Sequence, residues 1–215
     1  MVDSNVAAAD ADDRHFEHEN PGGWAYVYRV HDLMVGAYGA VMAGKSREVL
    51  RAAHRLDGGV TPELLQMSRP PPADPVESHR TALPHVLIRF GRWRDILDLE
   101  LPEGQELFCS TAAVIHYARG AAFSALGRIS EAGPARTEFT AAVARVPDGR
   151  LDSVSAERAD ALKVAAAMLE GELDYRKGDF DESFAALCRA NRAGGRTGER
   201  QRQACRMPAV RGASS

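Results

Sequence analysis

Four times along this chain a glycine is followed at the fourth residue by an acid, each time between apolar patterns of helical spacing. The instances are Gly44-Lys45-Ser46-Arg47-Glu48, Gly91-Arg92-Trp93-Arg94-Asp95, Gly127-Arg128-Ile129-Ser130-Glu131 and Gly178-Asp179-Phe180-Asp181-Glu182. A glycine can end a helix in the left-handed conformation at no steric cost, and the dipole of the following helix favours an acid in its first turn. The pattern therefore predicts an all-α chain built as a stack of antiparallel helix pairs. It predicts a binding surface without naming what binds.

The apolar residues keep helical phase on both sides of each turn. Val30, Leu33, Met34, Ala37 and Val41 precede Gly44, and Val49, Leu50, Ala53 and Leu56 follow it. The second unit has Ala82, Leu83, Val86, Leu87 and Phe90 before Gly91, then Trp93, Ile96 and Leu97 in a helix that Pro102 and Gly104 keep short. In the third, Val114, Ile115, Ala118, Ala122 and Leu126 lead to Gly127, and Ile129, Ala132, Ala135, Phe139, Val143 and Val146 follow; Gly133-Pro134 there predicts a late helix start or a kink. In the fourth, Leu162, Ala165, Ala166, Leu169 and Leu173 lead to Gly178, with Phe180, Phe184, Leu187 and Cys188 beyond. The turn glycines are 47, 36 and 51 residues apart. The excess lies in connectors, above all in 57–78, where Pro62, Pro70, Pro71, Pro72 and Pro75 predict a long irregular link with at most one helical turn, at Leu64 and Leu65.

The chain of 215 residues is 45% hydrophobic, enough for one core of real size, placed in 21–190. A net charge of −3 and a pI near 6.2 give no general attraction to nucleic acid or anionic membrane. The charge is concentrated at the ends. Six acids against Arg14 alone, between Asp3 and Glu19, predict a solvated, disordered segment over 1–20, and six arginines against Glu199 alone predict a disordered tail over 191–215. For that tail a lost continuation of the repeats and a basic arm are the alternatives, the arm without interleaved aromatics to stack on bases. No secretory signal and no apolar run of membrane-spanning length is visible. Cys109, Cys188 and Cys205 are scattered and odd in number, which fits reduced thiols in a cytoplasmic setting better than a disulfide framework or a zinc site.

Small residues ahead of the turn glycine, an aromatic or apolar residue two positions after it and a small or apolar residue five after it resemble the tetratricopeptide repeat. Ala122-Phe123-Ser124-Ala125-Leu126-Gly127-Arg128-Ile129-Ser130-Glu131-Ala132 and Tyr175-Arg176-Lys177-Gly178-Asp179-Phe180-Asp181-Glu182-Ser183-Phe184 carry the likeness, whereas Val49 and Ile96 stand where the repeat usually has alanine. From Trp24 to Ala190 the chain is also similar to a divergent, uncharacterised group of such proteins, through Arg89-Phe90-Gly91-Arg92-Trp93 and Tyr117-Ala118-Arg119-Gly120. The resemblance implies a right-handed superhelical solenoid whose first helices line a concave groove for a peptide or protein segment. Counting back from each turn glycine places His31, Tyr38, His85, Arg89, Tyr117, Glu172 and Arg176 on that groove. The expected function is a protein-interaction scaffold without catalysis or cofactor. An uncovered last pair, bearing Phe180, Phe184 and Leu187, adds an expectation of self-association.

Two chemical motifs compete with that expectation. Gly39-Ala40-Val41-Met42-Ala43-Gly44-Lys45-Ser46 matches the phosphate-binding loop G-x-x-x-x-G-K-S, which would make Lys45 and Ser46 nucleotide and magnesium ligands. The motif needs a strand before its first glycine, and the spacing from Val30 to Val41 is helical instead. His15-Phe16-Glu17-His18-Glu19 offers imidazoles and carboxylates to a metal, but within the acidic leader. The lone His85 and His116 read as packing or groove residues rather than acid/base catalysts. An incomplete repeat fragment without independent activity is a further alternative.

Overall fold

A computed structural model describes residues 2–18, 23–66, 73–153 and 156–204. Four hairpins organise it, and each is made by the same turn. At Gly44, Gly91, Gly127 and Gly178 φ is +68°, +64°, +73° and +92°. The amide of the residue after each glycine donates five residues back, Lys45 to Ala40, Arg92 to Leu87, Arg128 to Phe123 and Asp179 to Asp174, at 2.9–3.0 Å. The glycine amide itself donates three residues back, to Val41, Ile88, Ser124 and Tyr175. This pair of bonds satisfies carbonyls that the ending helix leaves open, and a side chain at the glycine would be strained. The acid then falls in the first turn of the next helix in every case, as Glu48, Asp95, Glu131 and Glu182.

The hairpins pair α2 (Gly23–Met42) with α3 (Ser46–Gly59), α6 (Ala82–Arg89) with α7 (Trp93–Leu97), α8 (Cys109–Ala125) with α9 (Ile129–Val143), and α10 (Arg158–Lys177) with α11 (Phe180–Ala204). Residues five after each turn glycine, Val49, Ile96, Ala132 and Ser183, are 0% exposed. Those seven before it, Ala37, Pro84, Gly120 and Gly171, are buried as well. The four pairs therefore share one packing register across which the two helices of each hairpin meet. Between pairs, α10 packs on α8 and α9, and α3 packs on α6. Leu162 and Leu169 of α10 meet Ala113, Tyr117 and Phe139, while Val49 and Ala53 of α3 share a core with Leu83, Leu87, Ile96 and Ala118.

The acidic leader is not a solvated segment. Val2–His18 is a helix, α1, packed on α2 and joined to α3 through side chains. Ala9 is fully buried against Val30, Leu33 and Leu56, and the acids meet arginines across the helix pair. Asp13 pairs with Arg29 at 2.5 Å and with Arg55 at 2.6 Å, and Asp10 with Arg55 at 2.7 Å. Burial alone would raise the Asp13 carboxyl, but the hydrogen bonds and charges of Arg29 and Arg55 outweigh it and hold it below its ordinary value. The charge count signalled disorder because the compensating bases lie in other helices.

The connector holds the helical turn expected at Leu64 and Leu65, and beyond it a further helix within the proline-rich stretch. Thr61 caps α4 (Pro62–Leu65) by accepting the Leu64 amide at 3.4 Å, and α5 (Ala73–Arg80) starts inside the proline-rich stretch. Pro75 is its third residue, in a first turn where the missing amide costs nothing. Pro70, Pro71 and Pro72 lie outside the described residues. Helix α9 begins directly at Ile129 and takes Pro134 inside, so the late start is not adopted. Leu151–Ser153 (β1) and Ala156–Glu157 (β2) pair as a short antiparallel ribbon between α9 and α10, an element without a sequence signal. Helix α11 continues to Ala204, with Ala190 buried against α10, so the disordered tail placed over 191–215 does not begin at 191. Residues 205–215 lie outside the described residues. No described helix is long and apolar enough to cross a membrane.

Candidate functional site

None of the seven residues assigned to a concave groove lines either of the two larger hollows described below. His31 and Tyr38 are exposed on α2, His85 and Arg89 on α6, and Arg176 on α10, where it pairs with the half-buried Glu172 at 3.0 Å. Tyr117 is not a groove residue. It is 8% exposed, with its ring 5.9 Å from that of Phe139, and belongs to the core between α8, α9 and α10. Burial first and the charge of Glu172 second raise its phenol above its ordinary pKa. A count from the turn glycine holds no information on the residues of α10, Leu162 and Leu169, that pack in the same core as Tyr117.

The phosphate-loop match is a helical hairpin. Helix α2 runs through Met42, the Ala43 amide donates to Gly39, and those of Gly44 and Lys45 donate to Val41 and Ala40. Amides committed to the helix cannot cradle phosphate oxygens, and Ser46 is already the first residue of α3. His15 and His18 lie on α1, with Glu19 outside the described residues; among the described residues no group of three or more His, Cys, Asp and Glu could hold a metal ion.

A cleft of about 420 Å³ opens where α3, α5, α6 and α8 meet the loop after α7. One wall comes from α3, whose His54 and Asp57 share a face at three-residue spacing. Leu83 and Pro84 from α6 and Thr111 and Ile115 from α8 line it deeper. The opposite wall is the segment Asp98-Leu99-Glu100-Leu101-Pro102-Glu103. In this stretch apolar and acidic residues alternate, so Leu99, Leu101 and Pro102 are half-buried or buried while Asp98, Glu100 and Glu103 are exposed at the rim. The Leu99 carbonyl accepts a hydrogen bond from Arg119 of α8 at 2.5 Å, which fixes the wall. The base nearest the floor is already engaged: Arg80 pairs with Asp57 at 2.8 Å and lies 4.7 Å over the Phe108 ring. The free charge of the rim is therefore mainly negative. A second hollow of about 430 Å³, between α9 and α10, is lined by Arg136, Thr137, Thr140, Ala166 and Glu170 over one aromatic, Phe139.

Behind Thr111 lies the one ion pair in which a carboxylate is completely buried among the described pairs. Glu77 of α5 is 0% exposed. Its Oε1 accepts the Thr111 amide at 2.9 Å and the Thr111 hydroxyl at 3.1 Å; its Oε2 accepts Arg150 Nη2 at 2.6 Å and Nε at 3.2 Å. Arg150 Nη2 also donates to the Leu107 carbonyl at 2.9 Å. A hydroxyl bonded to a carboxylate can be an activated nucleophile. Here four donors occupy the two oxygens, so the group works as a bolt joining α5, the start of α8 and the link to α10. Burial, then the Glu77 charge, raises the neighbouring Cys109 thiol above its ordinary pKa, which keeps it a packed, protonated group.

The acidic wall carried a readable signal in the alternation from Asp98 to Glu103, which the turn count passed over. Glu77 and Arg150, 73 residues apart, carried none. Comparison with known protein families, with curated proteins and with solved structures found no match to this chain.

Proposed function

We propose that this chain is a helical-repeat scaffold of the tetratricopeptide type that holds a cationic, partly apolar peptide segment and performs no chemistry of its own. The four hairpins with one turn and one packing register support the repeat reading, as a solenoid of stacked pairs. The observation that carries the binding reading is the cleft with an apolar floor and the exposed rim of Asp98, Glu100 and Glu103. Leucine-sized side chains of a peptide would fill the floor, and its lysines or arginines would meet the rim carboxylates. The binding surface then centres on the α7–α8 loop, and its lining includes none of the seven residues that the repeat resemblance implied.

The test is fluorescence anisotropy with a labelled peptide in which leucine alternates with lysine and arginine, and an acidic counterpart as control. Binding at about 1–100 µM is expected for the cationic probe, weakening as salt screens the rim. The triple variant D98N/E100Q/E103Q should lose about tenfold or more in affinity at unchanged helicity and melting temperature. Equal binding by the triple variant, or equal binding of the acidic control, would refute the proposal.

A further inference from the structure

The last hairpin exposes an apolar face that the preceding pair has covered. Met168 and Tyr175 of α10 and Phe180, Phe184 and Leu187 of α11 are 45%, 47%, 50%, 56% and 38% exposed. They belong to one patch across the two helices: Tyr175 and Phe180 meet edge to face at 5.3 Å, and Leu187 packs down on Gly171. Half-exposed side chains of this size present roughly 400 Å² of apolar surface, about half of what one partner contributes to a standard interface. The remainder must be polar.

Beside the apolar stripe α11 carries a charge pattern complementary to itself. Its first turn is acidic, with Asp181 and Glu182, and its later turns carry Arg192 and Arg189, of which Arg189 pairs with Glu170 of α10 at 2.8 Å. Asp181 and Arg192 are both exposed and stand three turns apart, so they project from the same stripe of the helix. A two-fold axis crossing α11 level with the junction of Ala186 and Leu187 sets Asp181 of each copy opposite Arg192 of the other. It also lays Phe184 and Leu187 of the two copies against one another. A parallel arrangement would place acid on acid and base on base.

We propose that the chain forms a two-fold dimer through antiparallel packing of α11 on α11, with the apolar patch as its centre and reciprocal Asp181–Arg192 pairs at its edges. Such an isologous contact closes on itself. The inference is independent of the peptide cleft, which lies on other helices.

Sedimentation velocity of the full chain across a concentration series tests it. A monomer–dimer equilibrium with a Kd of about 1–100 µM is expected. Phe184→Asp should abolish the dimer while far-UV circular dichroism and peptide binding stay unchanged. Asp181→Arg and Arg192→Asp should each weaken dimerisation about tenfold, because each reversal affects two symmetry-related pairs. The double variant D181R/R192D should return to within about threefold of the parent, since the exchanged charges face each other again. A monomer at every concentration, growth beyond the dimer, or a double variant weaker than either single one would overturn the proposal.

Discussion

The third and fourth hairpins are built alike and end up wearing opposite surfaces. Tyr117 stands ten residues before its turn glycine and Met168 ten before the next; the first is 8% exposed and the second 45%. Ser124 and Tyr175 each stand three before the glycine, at 0% and 47%. Inside the pairs the match persists, for Ala132 and Ser183 are both 0% exposed and Ala135 and Ala186 are both buried. A pair's own sequence thus fixes the seam between its two helices. What becomes of the outer face depends on the neighbour: α10 covers α8 and α9 through Leu162 and Leu169, and nothing among the described residues does the same for α10 and α11.

The sharpest way to break this comparison is to truncate the two register-matched residues. Tyr117→Ala should cost about 3 kcal/mol in urea unfolding, the usual penalty for a buried aromatic. Met168→Ala should cost about 1 kcal/mol or less, since nearly half of that side chain is already in water. Similar losses at both positions would mean that Met168 is covered in solution, and a Tyr117 loss within about 0.5 kcal/mol would return that residue to the groove assigned to it from sequence.

A subtler contrast concerns the two glycines seven residues before the turns. A Cβ at Gly120 would meet Leu169 Cδ1 and Cδ2 at 2.9 Å, and one at Gly171 would meet Leu187 Cγ at 2.8 Å and the Ser183 carbonyl oxygen at 3.1 Å. Alanine gains about 1 kcal/mol of helix propensity at either site, against an overpacking cost of about 1–3 kcal/mol. Leu169 is buried on all sides, so Gly120→Ala should come out destabilising by about 1–2 kcal/mol. Leu187 borders solvent and can swing away, so Gly171→Ala should stay within about 1 kcal/mol of the parent. The reverse order in thermal denaturation would show that the Ser183 carbonyl, not the leucine, sets the limit.

What could be read from the sequence follows the same division. The turns were legible because a left-handed glycine and a first-turn acid are local requirements, and the seam residues because helical phase is local too. Tyr117 does not line a groove, because α10, more than forty residues on, packs against it through Leu162 and Leu169. The acids of α1 looked like a solvated run because Arg29 and Arg55, which engage them, are outside any local window. The Glu77–Arg150 bolt is invisible for the same reason, and the chain link that it fixes is the one that delivers α10 to its place on α8. The acidic wall of the cleft is the exception, a local alternation of acidic and apolar residues that no turn glycine marks.

The smallest effect separates the two hairpins by pH. His116, on α8, is 7% exposed, and burial first, then the charges of Arg119 and Arg145, lowers its pKa below the ordinary value against the opposing pull of Glu138. Neither α10 nor α11 contains a histidine. The unfolded chain therefore takes up a proton at His116 before the folded one does. The stability this residue contributes is complete above about pH 6.5 and is lost as pH falls through its lower folded pKa. His116→Gln should remove that slope, so the difference between parent and variant should shrink from pH 7 to pH 5. An unchanged difference across that range would mean that His116 titrates in the folded protein as it does in the open chain, and that it is more accessible to water than its 7% exposure indicates.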